Sequence, residues 1–187
     1  MVGTIVLSVL VVIATKGSFE RLSRIKLRAL WLLLLAVFAQ LALEFVDFPV
    51  ARLDDLGYGL LLATYVLILA FCLLNRAVGG MTIVTIGVAL NVLVIALNQG
   101  MPTKDDVVER GGRDVKEPIE RTVKHRPEED DDLLPFLGDV LSAPGIPNQQ
   151  FSIGDIVIGI GVAEVCFEAS RRPRRRGVYL EPAADSA

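Results

Sequence analysis

The sequence predicts an all-α protein, a polytopic transmembrane bundle of five helices, or of four if its first apolar segment does not span. The 187 residues are 52% apolar with a mean hydropathy of +0.53, and nearly all charges fall between apolar runs. Most of these runs approach the length of about 20 residues that a helix needs to cross about 30 Å of hydrocarbon. The sign of the charge also alternates from loop to loop, as it does in proteins whose basic loops stay in the cytoplasm.

The predicted spans are the apolar runs. The first is short, about 21 Å as a helix, and a re-entrant or interfacial segment is the alternative. Basic residues follow it, whereas a secretory signal places them first. The short segment 75–80 contains Gly79-Gly80 and predicts a tight hairpin between two antiparallel helices. The spans are 2–15, 29–45, 56–74, 81–97 and 151–169.

The charge distribution predicts the orientation. Five basic residues lie between Lys16 and Arg28, and five arginines lie within 171–176, whereas segment 104–139 has twelve acidic and seven basic residues. The positive-inside rule therefore places loop 98–150 and the N-terminus outside, and tail 171–187 in the cytoplasm. We expect a location in the cytoplasmic membrane, with residues 1–170 forming the membrane domain and the lipid bilayer as the main partner.

The basic tail is expected to contact anionic lipid headgroups. Nucleic acid is not an expected partner, because no aromatic residues are interleaved with the arginines. A homo-oligomer or a membrane partner of unknown kind is compatible with the sequence. The arginines expected to contact lipid are Arg171, Arg172, Arg174, Arg175 and Arg176.

The long loop 98–150 divides into two parts. Segment 102–132 is highly charged, and we expect it to be mostly disordered or loosely helical, with His125 solvated. Segment 133–141 is apolar enough to lie on the membrane surface or to pack against the bundle.

The start of the last span carries a candidate catalytic group, Asp155. A carboxylate at the mouth of a bundle can act as a general base or bind a cation. Ser152 three residues earlier gives a second interpretation, because Ser-x-x-Asp resembles a capping box that closes the first turn of a helix. The structural interpretation is favoured, since caps are far commoner than active sites.

Polar side chains within the predicted spans form a candidate binding cluster on the outer side. Asn91 and Asn98 are seven residues apart and therefore share a helix face, as Gln40 and Glu44 do at a spacing of four. Asparagines inside a bundle serve most often to hold helices together, although they can also line a pocket. The candidate cluster is Gln40, Glu44, Asn91, Asn98 and Asp155, and Asp139 is a further candidate.

Deeper in the last span, Glu168 can pair with Arg171 or Arg172 at helical spacing. Glu164 has no local partner, so it is protonated, paired with Arg28 or Lys26, or functional. No metal site or cofactor is expected, because the chain has one histidine, no Cys/His cluster and no nucleotide-binding glycine motif. Cys72 and Cys166 fall near predicted cytoplasmic helix ends, where a disulfide is not expected.

Two groups of motifs carry a resemblance. Asn-x-Leu-Val-Ile and Asn-x-Gly-Met-Pro within 91–102 are followed by Phe-Leu-Gly-Asp and Phe-Ser-Ile-Gly-Asp-Ile-Val-Ile within 136–161. This set resembles an uncharacterised family of bacterial integral membrane proteins, a domain of unknown function. The likeness covers most of the chain from residue 2 to about 169, apart from a longer charged insert at 104–132. It implies a membrane location and a topology, and no activity.

A fainter likeness concerns the last span alone. Residues 151–158 resemble the final-helix motif Phe-Asn-x-Ala-Asp-x-x-Ile of lipoprotein signal peptidases, which implies that Asp155 would be one of two catalytic aspartates. Ser152 and Gly154 depart from the motif, and the second motif, Gly-Asn-x-x-Asp-Arg, is absent. Asp139 is the remaining candidate for the second carboxylate.

Three hypotheses about function follow. The first is a non-enzymatic accessory or binding component of the cytoplasmic membrane. The second is an intramembrane aspartyl hydrolase that uses Asp155 with Asp139, which requires two carboxylates close enough to share a proton. The third is a carrier subunit for a small solute or ion, with Asn91, Asn98 and Glu164 along its path.

Overall fold

The computed structural model describes most of the three longest apolar helices and much of the charged loop. The predicted first span apart from residues 13–14, the loop 46–55 and the basic tail with its five arginines lie outside the described residues. Those described are 13–14, 17–22, 25–45, 56–104, 106–110, 113–117, 122–142 and 150–170.

The described architecture is mostly helical. A four-residue helix precedes four long ones, and their bounds agree with the predicted apolar runs to within two residues. One of them, Met81–Asn98, is long and apolar enough to cross a membrane, and two shorter apolar helices cover Leu30–Leu43 and Tyr58–Leu74. The helices are α1 Phe19–Leu22, α2 Leu30–Phe45, α3 Tyr58–Leu74, α4 Met81–Asn98 and α5 Ile153–Ser170.

The four long helices pack in sequence order, α2 on α3, α3 on α4 and α4 on α5, and α1 packs on the end of α5. The tight turn predicted at 75–80 joins α3 to α4. At the end of the bundle that contains this turn, the Ser18 amide donates a hydrogen bond of 3.0 Å to the carbonyl oxygen of Ser170. This end is called the turn end below, and the opposite end, where α4 finishes, is called the cap end.

Glycines bring α4 and α5 into near contact. A Cβ at Gly87 would lie 2.7 Å from the Gly154 carbonyl oxygen, and a Cβ at Gly161 would lie 2.6 Å from the Val84 amide nitrogen. Gly154 and Gly161 are seven residues apart and so occupy one face of α5. Small residues at such spacing let two helix backbones approach more closely than larger side chains permit. This interface is therefore the tightest constraint on the position of α5.

Short strands occupy much of the charged loop. The expectation that 102–132 is mostly disordered or loosely helical is wrong, because four strands lie within or beside it. Val107, Val108 and Val115 supply β-branched residues to the one antiparallel pair there, and Gly111-Gly112 separates its strands in the sequence, as in hairpins. The strands are β1 Met101–Thr103, β2 Asp106–Arg110, β3 Arg113–Glu117, β4 His125–Pro127, β5 Leu141–Ser142 and β6 Gln150–Phe151.

Residues 101–104 and 122–142 form a compact unit at the cap end, called the cap below. Strand β1 lies at its centre, in parallel pairing with β4 on one side and in a parallel bridge to Asp139 on the other. All three residues of β1 are buried, and Met101 joins the core cluster that includes Tyr65 and Ile95. The pairing satisfies backbone groups that burial removes from water.

The cap fills space that α5 leaves free. Asn91 lies beside Gly154, at the start of α5, whereas α4 continues for seven more residues, about 10 Å, to Asn98. Strand β1 and the 3₁₀ turn Pro135–Leu137 pack against α4 in this region, and the turn also contacts α5. Gly138 permits the close packing, because a Cβ there would overlap the Pro102 carbonyl oxygen.

Replacing Gly87 by alanine tests the glycine interface. The new Cβ would meet backbone atoms of α5, so Gly87→Ala should lower the free energy of unfolding by about 1–3 kcal/mol, as overpacking does. Gly159→Ala is the matched control, because a Cβ at Gly159 meets nothing within 4 Å and alanine favours a helix by up to about 1 kcal/mol. Thermal unfolding in detergent micelles measures both. Equal melting temperatures for the two variants would contradict the assigned contact.

Candidate functional site

Asp155 closes the first turn of α5. Its Oδ2 accepts a hydrogen bond of 3.1 Å from the Ser152 amide, and its own amide donates one of 3.0 Å to Ser152 Oγ. These reciprocal bonds confirm the capping-box interpretation, since they satisfy donors that a helix start leaves free. A negative charge here is also favoured by the helix dipole.

Asn91 connects this capping box to α4. Its Nδ2 donates a hydrogen bond of 3.0 Å to Asp155 Oδ1, and its Oδ1 accepts one of 3.0 Å from Ser152 Oγ. Asn91 and Ser152 are both buried. The amide therefore holds two helices together, which is the packing role that the sequence favoured. Both carboxylate oxygens of Asp155 are engaged in holding the start of α5.

Asp139 lies in a separate buried position within the cap. Its side chain is 4% exposed, and its Oδ2 lies 3.1 Å from His125 Nε2. The other oxygen, Oδ1, is buried and has no hydrogen-bond partner among the described residues. The expectation that His125 is solvated is wrong, because its ring is about two-thirds buried against Asp139. The two residues meet across β1, which pairs with the strand of His125 and with Asp139.

Tyr65 lies near both carboxylates. Its phenol is buried, and Lys124, Asp155 and Asp139 all act on it electrostatically. The structure thus brings Asp139 and Asp155 to one region, at the junction of α3, α5 and the cap. Sequence reasoning missed Tyr65, although a tyrosine within a buried apolar run usually has a polar neighbour for its hydroxyl group.

Asn98 and Arg126 attach the cap to the end of α4. The Asn98 side chain exchanges two hydrogen bonds of 2.8 Å with the backbone of Leu133. Arg126 Nε donates one of 2.8 Å to the Asn98 carbonyl oxygen, and its guanidinium pairs with Asp132 and Glu129. Both Arg126 and Asp132 are largely buried side chains. Asn98 therefore fixes a loop, and it does not join the polar group around Asp155 by any of these bonds.

Of the remaining predicted members of the cluster, one lies elsewhere in the bundle and one has a side chain outside the described residues. Gln40 Nε2 donates a hydrogen bond of 2.9 Å to Thr64 Oγ1, which links α2 to α3. The side chain of Glu44 lies outside the described residues. Only Asn91 and Asp155 of the predicted cluster are thus directly bonded to each other.

At the turn end, the two glutamates of α5 face the glycines of the turn. A Cβ at Gly79 would overlap the Glu168 carboxylate, and one at Gly80 would lie 2.9 Å from Glu164 Cβ. The arginines proposed to pair with Glu168 lie outside the described residues. Within the part of the chain that the structure describes, no group of three or more His, Cys, Asp or Glu side chains is placed to hold a metal ion.

Comparison with known proteins assigns the family. The cap and the paired α4 and α5 contain the motif set of residues 91–102 and 136–161, and a family model matches the chain over residues 24–167. The chain belongs to that family, described as Family of unknown function (DUF5317). The resemblance to an uncharacterised family is therefore confirmed. No curated protein and no solved structure matches the chain.

A double-mutant cycle tests the bond between Asn91 and Asp155. Because Asn91 is buried and Asp155 is half-buried, the unfolding free energies of Asn91→Ala, Asp155→Ala and the double variant should give a coupling energy of about 1–3 kcal/mol. Asn91→Ala combined with Ser170→Ala is the control, since Ser170 bonds Phe167 at the far end of α5. That pair should be additive to within about 0.5 kcal/mol. Additivity in both cycles would exclude the Asn91–Asp155 bond.

Proposed function

We propose that the chain is a multi-pass protein of the cytoplasmic membrane, and that it acts as a non-enzymatic accessory or binding component. In this proposal α2 to α5 and segment 2–15 span the bilayer. The cap lies on the outer side and the turn end on the cytoplasmic side.

The exposed surface of α2 carries the membrane proposal. Trp31, Leu34 and Phe38 are 64%, 60% and 71% exposed. The 16-residue helix that carries them has no basic residue. A contiguous apolar surface of this kind is unfavourable in water and marks contact with lipid or with another protein. Lipid suits it best, because α3 and α4 also expose large apolar residues, among them Val66, Leu73 and Ile86.

The polar groups of the bundle support the same proposal. Few backbone or side-chain groups can stay unpaired in hydrocarbon, and Thr64, Asn75 and Asn91 are each hydrogen-bonded within or between helices. Helices of 16 to 18 residues rise about 24–27 Å. That length is close to the hydrocarbon thickness of about 30 Å. The orientation follows from the basic residues flanking α2 and α5.

The engagement of the polar residues favours a non-enzymatic role. Asn91 and Asp155 bond each other and Ser152, so they stabilise the helix start and are not free to bind a solute. Asn98 is engaged with Leu133 in the same way. A carrier path through Asn91, Asn98 and Glu164 would need these amides to face a channel instead.

Membrane extraction and topology reporters test the proposal. The protein should stay in the membrane pellet at alkaline pH, because its exposed helix surfaces are apolar. A reporter active only outside the cytoplasm should be active when inserted in loop 98–150 at position 112, and inactive when fused after residue 187. Release into the supernatant, or the opposite reporter pattern, would refute the proposed location or orientation.

An intramembrane aspartyl hydrolase is the second candidate, and one observation favours it. Asp139 and Asp155 both act on the Tyr65 phenol, so they lie in one region. Asp139 also has an oxygen without a hydrogen-bond partner among the described residues. A dyad requires the two carboxylates to share one proton at neutral pH. Both carboxylate oxygens of Asp155 already accept hydrogen bonds, from Asn91 and from the Ser152 amide, which argues against this arrangement.

Infrared spectroscopy separates the two candidates. A shared proton produces a carboxylic-acid carbonyl band at neutral pH that both Asp139→Asn and Asp155→Asn abolish, since the band belongs to the pair. The accessory role predicts that no single band is lost in both variants. Asp132→Asn is the matched control, because Asp132 is a buried acid paired with Arg126, outside the proposed dyad. A band common to Asp139 and Asp155 alone would overturn the non-enzymatic proposal.

A further inference from the structure

We propose that the exposed side chains of Leu133, Leu134 and Phe136, called the apolar cap face, insert into the outer leaflet of the membrane among zwitterionic phospholipids. The inference rests on the membrane location proposed above. It identifies a lipid contact made by a loop, in addition to those made by the helices.

The apolar residues of this segment point in two directions. Leu137 packs against the core cluster that contains Met101 and Ile95. Leu133 and Phe136, by contrast, are 54% and 57% exposed, and Leu134 is also exposed. A segment that buries one residue and presents three large apolar ones needs a second apolar environment. An interfacial segment of a membrane protein meets this condition, because its apolar side enters the boundary between headgroups and acyl chains.

The backbone holds this face in a fixed shape. Leu134 has a φ of +55°, in the left-handed region that leucine rarely adopts. Two hydrogen bonds of 2.9 Å, from the Leu137 amide to the Leu134 carbonyl oxygen and from the Gly138 amide to that of Pro135, close the turn that follows. Such a conformation persists only where the surroundings impose it. The three side chains are therefore held in place by a hydrogen-bonded turn.

The position of the face relative to the helices points to the membrane. The bonds between Asn98 and Leu133 fix the face at the last residue of α4, the helix whose length and composition suit a membrane span. Leu97 and Leu133 line one hollow of about 220 Å³, together with six polar or charged residues. Leu97 and Leu93 are themselves exposed. Exposed leucines of α4 therefore lie beside the cap, across this largely polar hollow from Leu133.

The charges beside the face determine which lipid it fits. Glu129, Asp130 and Asp131 are exposed next to it, and Arg126 is engaged with Asp132 and Glu129. The rim of the face is therefore acidic, and like charges repel. Anionic headgroups are disfavoured there, whereas a zwitterionic headgroup places its cationic amine near the carboxylates.

Tryptophan fluorescence in lipid vesicles tests the insertion. The chain has one tryptophan, Trp31, so Trp31→Phe supplies a silent background for Phe136→Trp. The full chain is reconstituted in phosphatidylcholine whose acyl chains are brominated near the headgroup. Because the side chain would lie at the boundary of headgroups and acyl chains, fluorescence at position 136 should fall about twofold relative to unbrominated lipid. Replacing half of the lipid by phosphatidylglycerol brominated at the same position, so that the bromine content stays constant, should reduce the quenching.

Two matched variants in the same background separate the possible failures. Phe38→Trp, measured in lipid brominated deep in the acyl chains, reports an exposed apolar position near the middle of α2, and Glu128→Trp reports an exposed polar position of the cap. Quenching at 136 and 38 but not at 128 supports the insertion. Quenching at 38 alone overturns it and leaves the membrane proposal standing, because the helices then contact lipid and the cap face does not. Lack of quenching at 38 overturns the membrane proposal itself. Quenching at 136 that does not fall with phosphatidylglycerol overturns the lipid class.

Discussion

The contact between α4 and α5 places Asn91 directly against Gly154. The position of the cap depends on this contact. An ideal Cβ on Gly154 would overlap Asn91 Oδ1, so the amide reaches Ser152 and Asp155 only because residue 154 lacks a side chain. The same register places Gly80 beside Gly161. It therefore sets α5 back from the end of α4 and leaves the space that the cap occupies.

Asparagine side chains also form hydrogen bonds with neighbouring backbone at two helix ends. Asn75, which follows α3, exchanges hydrogen bonds with the backbone of Arg28, and Asn98, the last residue of α4, does so with that of Leu133. An amide offers one donor group and one acceptor group, as a peptide unit does. It can therefore complete the hydrogen bonds of a segment that runs beside the helix end. Where water is scarce, this pairing replaces hydration at two places where the chain changes direction.

The sequence predicted those features that depend on local pattern. Apolar runs gave four helices to within two residues, and the Ser152 to Asp155 spacing predicted the capping box, because both signals lie within a few turns of chain. The partners of Asn91, His125 and Tyr65 are long-range, and their meeting depends on packing that no spacing encodes. The strands were missed for another reason, since charge-rich composition indicates disorder and segment 106–117 has no alternation of apolar and polar residues to indicate strands.

The cap and the bundle form one packed unit, and this follows from the cap's own composition. Strand β1 has three residues, too few to be stable alone, and its Met101 lies in the core built by α3 and α4. The Asp139–His125 pair lies near Tyr65 of α3. A buried polar side chain is costly unless it is hydrogen-bonded in a fixed geometry, and the backbone bonds of Asp139 to Pro102 and Lys104 fix its position. Among its described residues the cap therefore packs its buried side chains into the helical core, and the helices that it covers stabilise it.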